Sequence, residues 1–134
     1  MEKEKITFEE FEQLQKKLEI KVGLIVSVEE IPKSKKLIKL TVAFGRMEDG
    51  LAILKTVVTN IKSDLQVKYG NGETKFDQAM FDTLFKGQNM LFITNLKPVE
   101  MMGIESSAMI CPGELDKYHL ATVNGNEMLG NTIL

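Results

Sequence analysis

Five lysines and a few amide and hydroxyl side chains are the residues of this chain best suited to holding a polyanion. Lys33, Lys35, Lys36 and Lys39 fall within seven residues, and Lys97 stands in a second segment, Asn95 to Ser107, between two apolar runs. Lysine ammonium groups on a loop neutralise phosphates as mobile point charges. Asn95, Ser106 and Ser107 add donors and acceptors that suit phosphate oxygens, 2′-hydroxyls or exposed base edges, the groups by which structured RNA is held. Met102, beside Met101, supplies a flexible thioether suited to adaptable binding surfaces. Each also has a plainer role: a lysine run can be a solvated face, Asn95 and the serines can satisfy turn backbone, and paired methionines can pack.

Enzymatic chemistry finds little here. His119 is the single histidine and has no flanking Asp or Glu at ligand spacing. Cys111 adjoins Pro112 and Gly113 without a nearby partner that would mark a nucleophile, and no phosphate-cradling glycine loop occurs. The expectation is a protein with no catalysis, metal or cofactor. The 17 basic and 19 acidic residues leave a net charge of -2, so a polyanion must be met by a local patch and not by bulk charge. A lone cysteine allows no internal disulfide and suits a reducing cytosol. No run reaches the roughly 18 apolar residues of a membrane span, and the charged start Met1 to Lys5 is unlike a signal peptide. A cytoplasmic protein without membrane contact is expected.

The elements that must position these side chains follow from periodicity. Thr7-Phe8-Glu9-Glu10 fits a capping box, and Phe8, Phe11, Leu14 and Leu18 recur at helical spacing, which predicts an amphipathic helix over 7–18. From Ile20 the period becomes two: Ile20, Val22, Leu24, Val26 and Val28 share one face, and Lys21, Gly23, Ile25 and Ser27 the other. Strands are expected over 37–44 and 51–58, joined by a turn over 45–50. A polar interval over 60–72 precedes a helical stripe of Phe76, Met80, Phe81, Leu84 and Phe85, with Thr74 as N-cap and Gly87 as stop. Runs over 90–94 and 108–111 read as a fourth and a fifth strand, with the segment from Asn95 crossing between them at Pro98 and Gly103. Residues 118–123 and the Asn124-Gly125 turn predict a terminal hairpin. Three meandering strands, a helix and two more strands are the order of an OB-fold, a mainly β, five-stranded Greek-key barrel whose face and loops bind oligonucleotides. A β-sandwich is the competing architecture, and the single helix in mid-chain counts against it.

Asn95-Leu96-Lys97-Pro98 followed by Met101-Met102-Gly103-Ile104-Glu105-Ser106-Ser107-Ala108-Met109 resembles the signature of the tRNA-binding domain family. That domain occurs at the C-terminus of many methionyl-tRNA synthetases, in the endothelial monocyte-activating polypeptide, and in small free-standing bacterial and archaeal proteins. The family pattern is approximately Asn-Leu-Lys-Pro, a variable piece, then Met-x-Gly-x-x-Ser-x-Gly-Met; here Ala108 replaces the last glycine. Leu18-Glu19-Ile20-Lys21-Val22-Gly23-Leu24-Ile25 is similar to the opening strand, Asp-Ile-Arg-Val-Gly-x-Ile. Pro32, Lys36 and Leu37 fall in register with Glu-x-His-Pro-x-Ala-Asp-Lys-Leu, while Ile31 and Lys35 replace its His and Asp. Val58-Thr59-Asn60-Ile61 and Gly130-Asn131-Thr132-Ile133 resemble two further family motifs, so the likeness covers roughly 18–134. The interval from Ser63 to Lys75 looks longer than usual.

The resemblance implies a structure-selective tRNA-binding module without catalysis, working alone or aiding an aminoacyl-tRNA synthetase in trans, with Lys33, Lys35, Lys36, Asn95, Lys97, Met102, Ser106 and Ser107 as RNA-contact candidates. It also implies a homodimer, for which the helix over residues 1–17 is a separate element beside a binding domain over 18–134. The alternative is an export-related, chaperone-like dimer that holds unfolded polypeptide. With no Trp, two Tyr and most of the seven Phe on helical stripes or in strand runs, stacking of single-stranded bases is disfavoured. Recognition of folded RNA by shape is the expectation.

Overall fold

Residues 2–70, 75–111 and 121–124 are described by the computed structural model of the chain. Helix α1 (Phe8–Lys17) forms as its capping box predicts. The Thr7 hydroxyl accepts from the Glu10 N–H at 3.1 Å, and the Glu10 carboxylate accepts from the Thr7 N–H at 3.4 Å. Glu9 and Glu10 in its first turn and Lys16 and Lys17 in its last complement the helix dipole. Yet none of its residues is buried: Phe8 is 72% exposed and Leu14 55%, so the apolar stripe lies open.

The sheet is built from β1 (Ile20–Glu30), β2 (Ile38–Arg46), β3 (Ala52–Thr59), β4 (Asn89–Ile93) and the short β7 (Met109–Ile110), in the order β3-β2-β1-β4-β7. Its two edges meet. The Ser107 N–H donates to the Thr56 carbonyl at 3.1 Å, and the Ser106 hydroxyl accepts from the Val58 N–H at 2.9 Å, so the sheet curls round a core in OB-fold order. Inside lie Ile25, Val28, Leu40, Val42, Val57, Met90 and Phe92, plugged by Phe81 and Phe85. Each large side chain buried this way contributes about 1.5–3 kcal/mol.

Even alternation along the first strand does not hold. The pairing of Ile25 with Val42 and then of Ser27 with Thr41 leaves Val26 as an extra residue, a bulge that rotates the chain by one position. Ile25 and Val28 therefore face the core, and Val26 is exposed. A Cβ at Gly23 would stand 2.5 Å from Val42 and 2.8 Å from Phe44, so Gly23 also points inward, against the expected face.

The interval over 60–72 contains a helix, α2 (Lys62–Tyr69), fixed by buried Ile61, Lys62, Leu65 and Gln66. Helix α3 (Gln78–Phe85) carries the expected stripe, but its N-cap is Asp77, whose carboxylate accepts from the Met80 N–H at 3.1 Å; Thr74 lies outside the described residues. Gly87, at φ 81°, ends that helix and donates to the Ile25 carbonyl at the bulge, at 2.8 Å.

The segment after Asn95 is not a simple crossing. It holds a hairpin, β5 (Val99–Met101) and β6 (Ile104–Ser106), turned by Met102 and Gly103, both at positive φ, the backbone of a type I′ turn. Most of the predicted terminal hairpin, and the family-like Gly130 to Ile133, lie outside the described residues. Within 121–124, Thr122 bridges to Met90 and the Val123 N–H donates to the Asn89 carbonyl.

Candidate nucleic-acid interface

The β1–β2 loop carries Lys33, Lys35 and Lys36, all exposed, and its backbone is tightly bonded. Ser34 N–H donates to the Ile31 carbonyl at 3.1 Å, which closes a turn with Pro32 second and Lys33 third. Lys33 has φ 69°, and a turn with proline second and positive φ third is type II. The Ser34 hydroxyl then accepts from the Leu37 N–H at 3.0 Å. From α2, the Lys62 N–H reaches the Lys36 carbonyl at 3.0 Å and its ammonium the Ser34 carbonyl at 2.9 Å. Three cations thus stand on a fixed frame.

A non-glycine residue in the left-handed region costs about 1–2 kcal/mol, whereas glycine adds about 0.5–1 kcal/mol of chain entropy to be lost on folding. Lys33→Gly is therefore expected to stabilise the fold by up to about 1 kcal/mol while removing a cation. A urea midpoint that stays put or falls contradicts strain at this turn.

Ile38 pairs with Thr59 and Lys39 with Val58, so the lysine loop springs from the end of β2 beside the last residues of β3. At that same end Ser106 holds Val58. Val58, Leu96, Lys97, Val99, Met101, Ser106, Ala108 and Met109 line a groove of about 180 Å³ between the β5–β6 hairpin and the sheet. Lys97 is exposed on the wall of that groove, which shares Val58 with the strand end beside the lysine loop. Lys39 lies within β2, half-buried and paired with Glu29 of β1.

The polar candidates bond inward. Asn95 accepts from the Glu19 N–H at 2.9 Å and donates to the Lys17 carbonyl, tying the chain after β4 to the junction of α1 and β1. Ser106 is buried and its hydroxyl also donates to the Ala108 carbonyl at 3.3 Å. Ser107 bonds Thr56 through both its N–H and its hydroxyl. Met102 stands exposed at the hairpin tip. Sequence reasoning missed Lys62 and the helix that carries it; the one signal was Ile61 and Leu65 at i, i+4, a single helical turn of apolar spacing.

Cys111 is the free thiol among the described residues, and it is half-shielded from solvent. Burial pushes the Cys111 thiol above its ordinary value, against a smaller opposing pull from the Ile93 backbone, which disfavours the thiolate. No group of His, Cys, Asp or Glu there could hold a metal ion; His119 is outside them. No helix among the described residues is long and apolar enough to cross a membrane.

A curled five-stranded sheet with cations on the loop between its first two strands and on the segment after its fourth defines a protein of the oligonucleotide-binding fold. The family model described as "Putative tRNA binding domain" matches residues 20–131, and the chain belongs to that family. It is 32% identical over 115 residues to the methionine-tRNA ligase of Archaeoglobus fulgidus, which covers 86% of this chain and 14% of the relative. The methionine-tRNA ligase of Cytophaga hutchinsonii is 31% identical over 134 residues, covering 96% of this chain and 16% of the relative. The chain thus spans about a seventh of the length of these curated relatives. Among solved structures, a MetRS related protein from Pyrococcus horikoshii is similar with a TM-score of 0.65 and 28% identity, covering 98% of this chain and 100% of that one. The CsaA chaperone protein of Picrophilus torridus shares the fold, with a TM-score of 0.63 and 20% identity over 97% of this chain and 100% of its own.

Proposed function

We propose that this chain is a structure-selective, non-catalytic tRNA-binding module of the cytoplasm. Lys33, Lys35, Lys36 and Lys97 are its phosphate contacts, with Met102 at the margin, while Asn95, Ser106 and Ser107 hold the loops that present them. The observation that carries this reading is the exposed lysine triad on a hydrogen-bonded loop, at the same end of β3 as the Lys97 groove, in a chain of this family. Four phosphates neutralised by lysine should give a fall of log K with log salt of about 3. Titrating tRNA from about 50 to 200 mM salt checks this; absence of binding, or affinity indifferent to salt, contradicts it.

The open stripe of Phe8, Phe11 and Leu14 on α1, with exposed Ile6 just before its N-cap, supports a homodimer, in which two copies of the interface act on one RNA by avidity. Light scattering at micromolar concentration is expected to give twice the 15.1 kDa chain mass, and Phe8→Glu with Phe11→Glu the chain mass itself; a monomeric wild type overturns the dimer. A methionine-tRNA ligase aided in trans is the partner this reading favours. Unfolded polypeptide is the second reading, favoured by the apolar walls of the groove at Leu96, Val99 and Met109; a denatured peptide that displaces tRNA would favour it.

A further inference from the structure

Lysine is almost never fully buried, yet Lys62 is 3% exposed. Its ammonium lies 5.6 Å from the centroid of the Phe76 ring, which stacks on Phe81 with centroids 5.1 Å apart. From there the ammonium donates to the Ser34 carbonyl at 2.9 Å, while the backbone N–H of the same residue donates to the Lys36 carbonyl at 3.0 Å. One residue of α2 therefore grips the lysine loop on both sides of Lys35. The first turn of α2 does not need this ammonium: Leu65 N–H bonds the Ile61 carbonyl, and Ile61 and Leu65 supply its apolar anchor. The side-chain bond goes to the loop.

We infer that Lys62 is the positioning residue that makes the interface selective for folded RNA, an inference that rests on the tRNA-binding reading above. Lysines on a slack loop follow the phosphates of any strand and gain the same counterion release from each. Lysines whose backbone is pinned favour the phosphate spacing that a folded RNA holds fixed, as in recognition by shape and not by sequence. Removing the ammonium leaves Lys33, Lys35, Lys36 and Lys97 in place, so attraction to polyanions in general persists. What is lost is the discrimination.

The test compares wild type, Lys62→Met and Lys62→Arg on magnesium-folded tRNA and on polyuridylate of the same length, with backbone ¹⁵N relaxation of the loop measured on each free protein. In Lys62→Met, affinity for tRNA is expected to fall about tenfold, the equivalent of one lost hydrogen bond, while affinity for polyuridylate changes less than about twofold, its counterion release being intact. Order parameters over Lys33–Lys36 should drop from near 0.85 toward 0.6, and Lys62→Arg, which keeps a cationic donor, should retain both order and preference. If Lys62→Met does not fold, Lys62→Gln, too short to reach the Ser34 carbonyl, carries the same readings. A tRNA-to-polyuridylate ratio and a loop order that both match wild type, with only the melting temperature lowered, overturn the inference and leave Lys62 a structural residue. The same pair of RNAs tried on Lys33→Glu with Lys36→Glu separates the two claims: weakening on both supports the interface, and no weakening on either sinks the interface and the role of Lys62 with it.

Discussion

Reversing three charges, Lys33→Glu, Lys36→Glu and Lys97→Glu, is expected to weaken tRNA binding by at least about a hundredfold at moderate salt. An exposed ion pair is worth up to about 1 kcal/mol, and reversal replaces attraction with repulsion of similar size. Three sites then lose several kcal/mol, and each 1.4 kcal/mol is about tenfold in affinity. The salt dependence must fall with it, by about 0.7–0.9 of slope for each phosphate no longer neutralised. All three positions are exposed, so stability should stay within about 0.5 kcal/mol of wild type, which separates lost binding from lost folding. A triple variant that binds tRNA as wild type does would place the RNA elsewhere on the molecule.

Gly23→Val is expected to have the largest effect on stability. Gly23 pairs with Met90 of β4 and its missing side chain is what lets Val42, Phe44 and Phe92 close the core, with Phe92 only 3.0 Å from where a Cβ would sit. Phe44 and Phe92 already meet edge to face with centroids 5.4 Å apart, so neither ring can yield without disturbing the other. Close-packed interiors answer such insertion with off-rotamer side chains and backbone shifts that cost about 1–3 kcal/mol for small additions. With both methyls of valine added, a loss of about 3 kcal/mol, or roughly 10 °C in melting temperature, is expected. Gly23→Ala should lose less, and thermal unfolding of the two that matches wild type would contradict an inward-facing Gly23.

The helices that announced themselves locally were legible. Thr7 and Glu10 specify the start of α1 through their own side chains, and Phe81 and Phe85 specify the buried face of α3 by spacing alone. The order of strands likewise follows from local patterns. The bulge and α2 were hidden by tertiary contacts, and the hairpin turn by its own residue types. Val26 fits the alternation of β1 well, and only pairing with β2 shows that it is an extra residue in a bulge. Helix α2 has one apolar pair and a buried lysine whose partner lies 28 residues earlier, which no local period can signal. Met102-Gly103 carries a hairpin turn without the Asn-Gly that would have marked it.

The candidate site divides in the same way. The lysine cluster was visible because charge and exposure are written in residue type. Whether a polar side chain faces a ligand or its own backbone is not. Asn95 and Ser106 match the family signature and Ser107 stands within it, yet their bonds run to Lys17, Glu19, Val58 and Thr56, partners between 48 and 78 residues away.

Docking of tRNA on the β1–β2 loop together with the segment at Lys97 is tested most directly by backbone amide ¹H–¹⁵N spectra recorded while tRNA is added. The largest changes are expected on Lys33 to Lys36 and on Leu96 and Lys97, with α1 from Phe8 to Lys17 little affected. Changes concentrated on α1 or on the exposed Met47 to Leu51 turn, with the lysine loop silent, would contradict it.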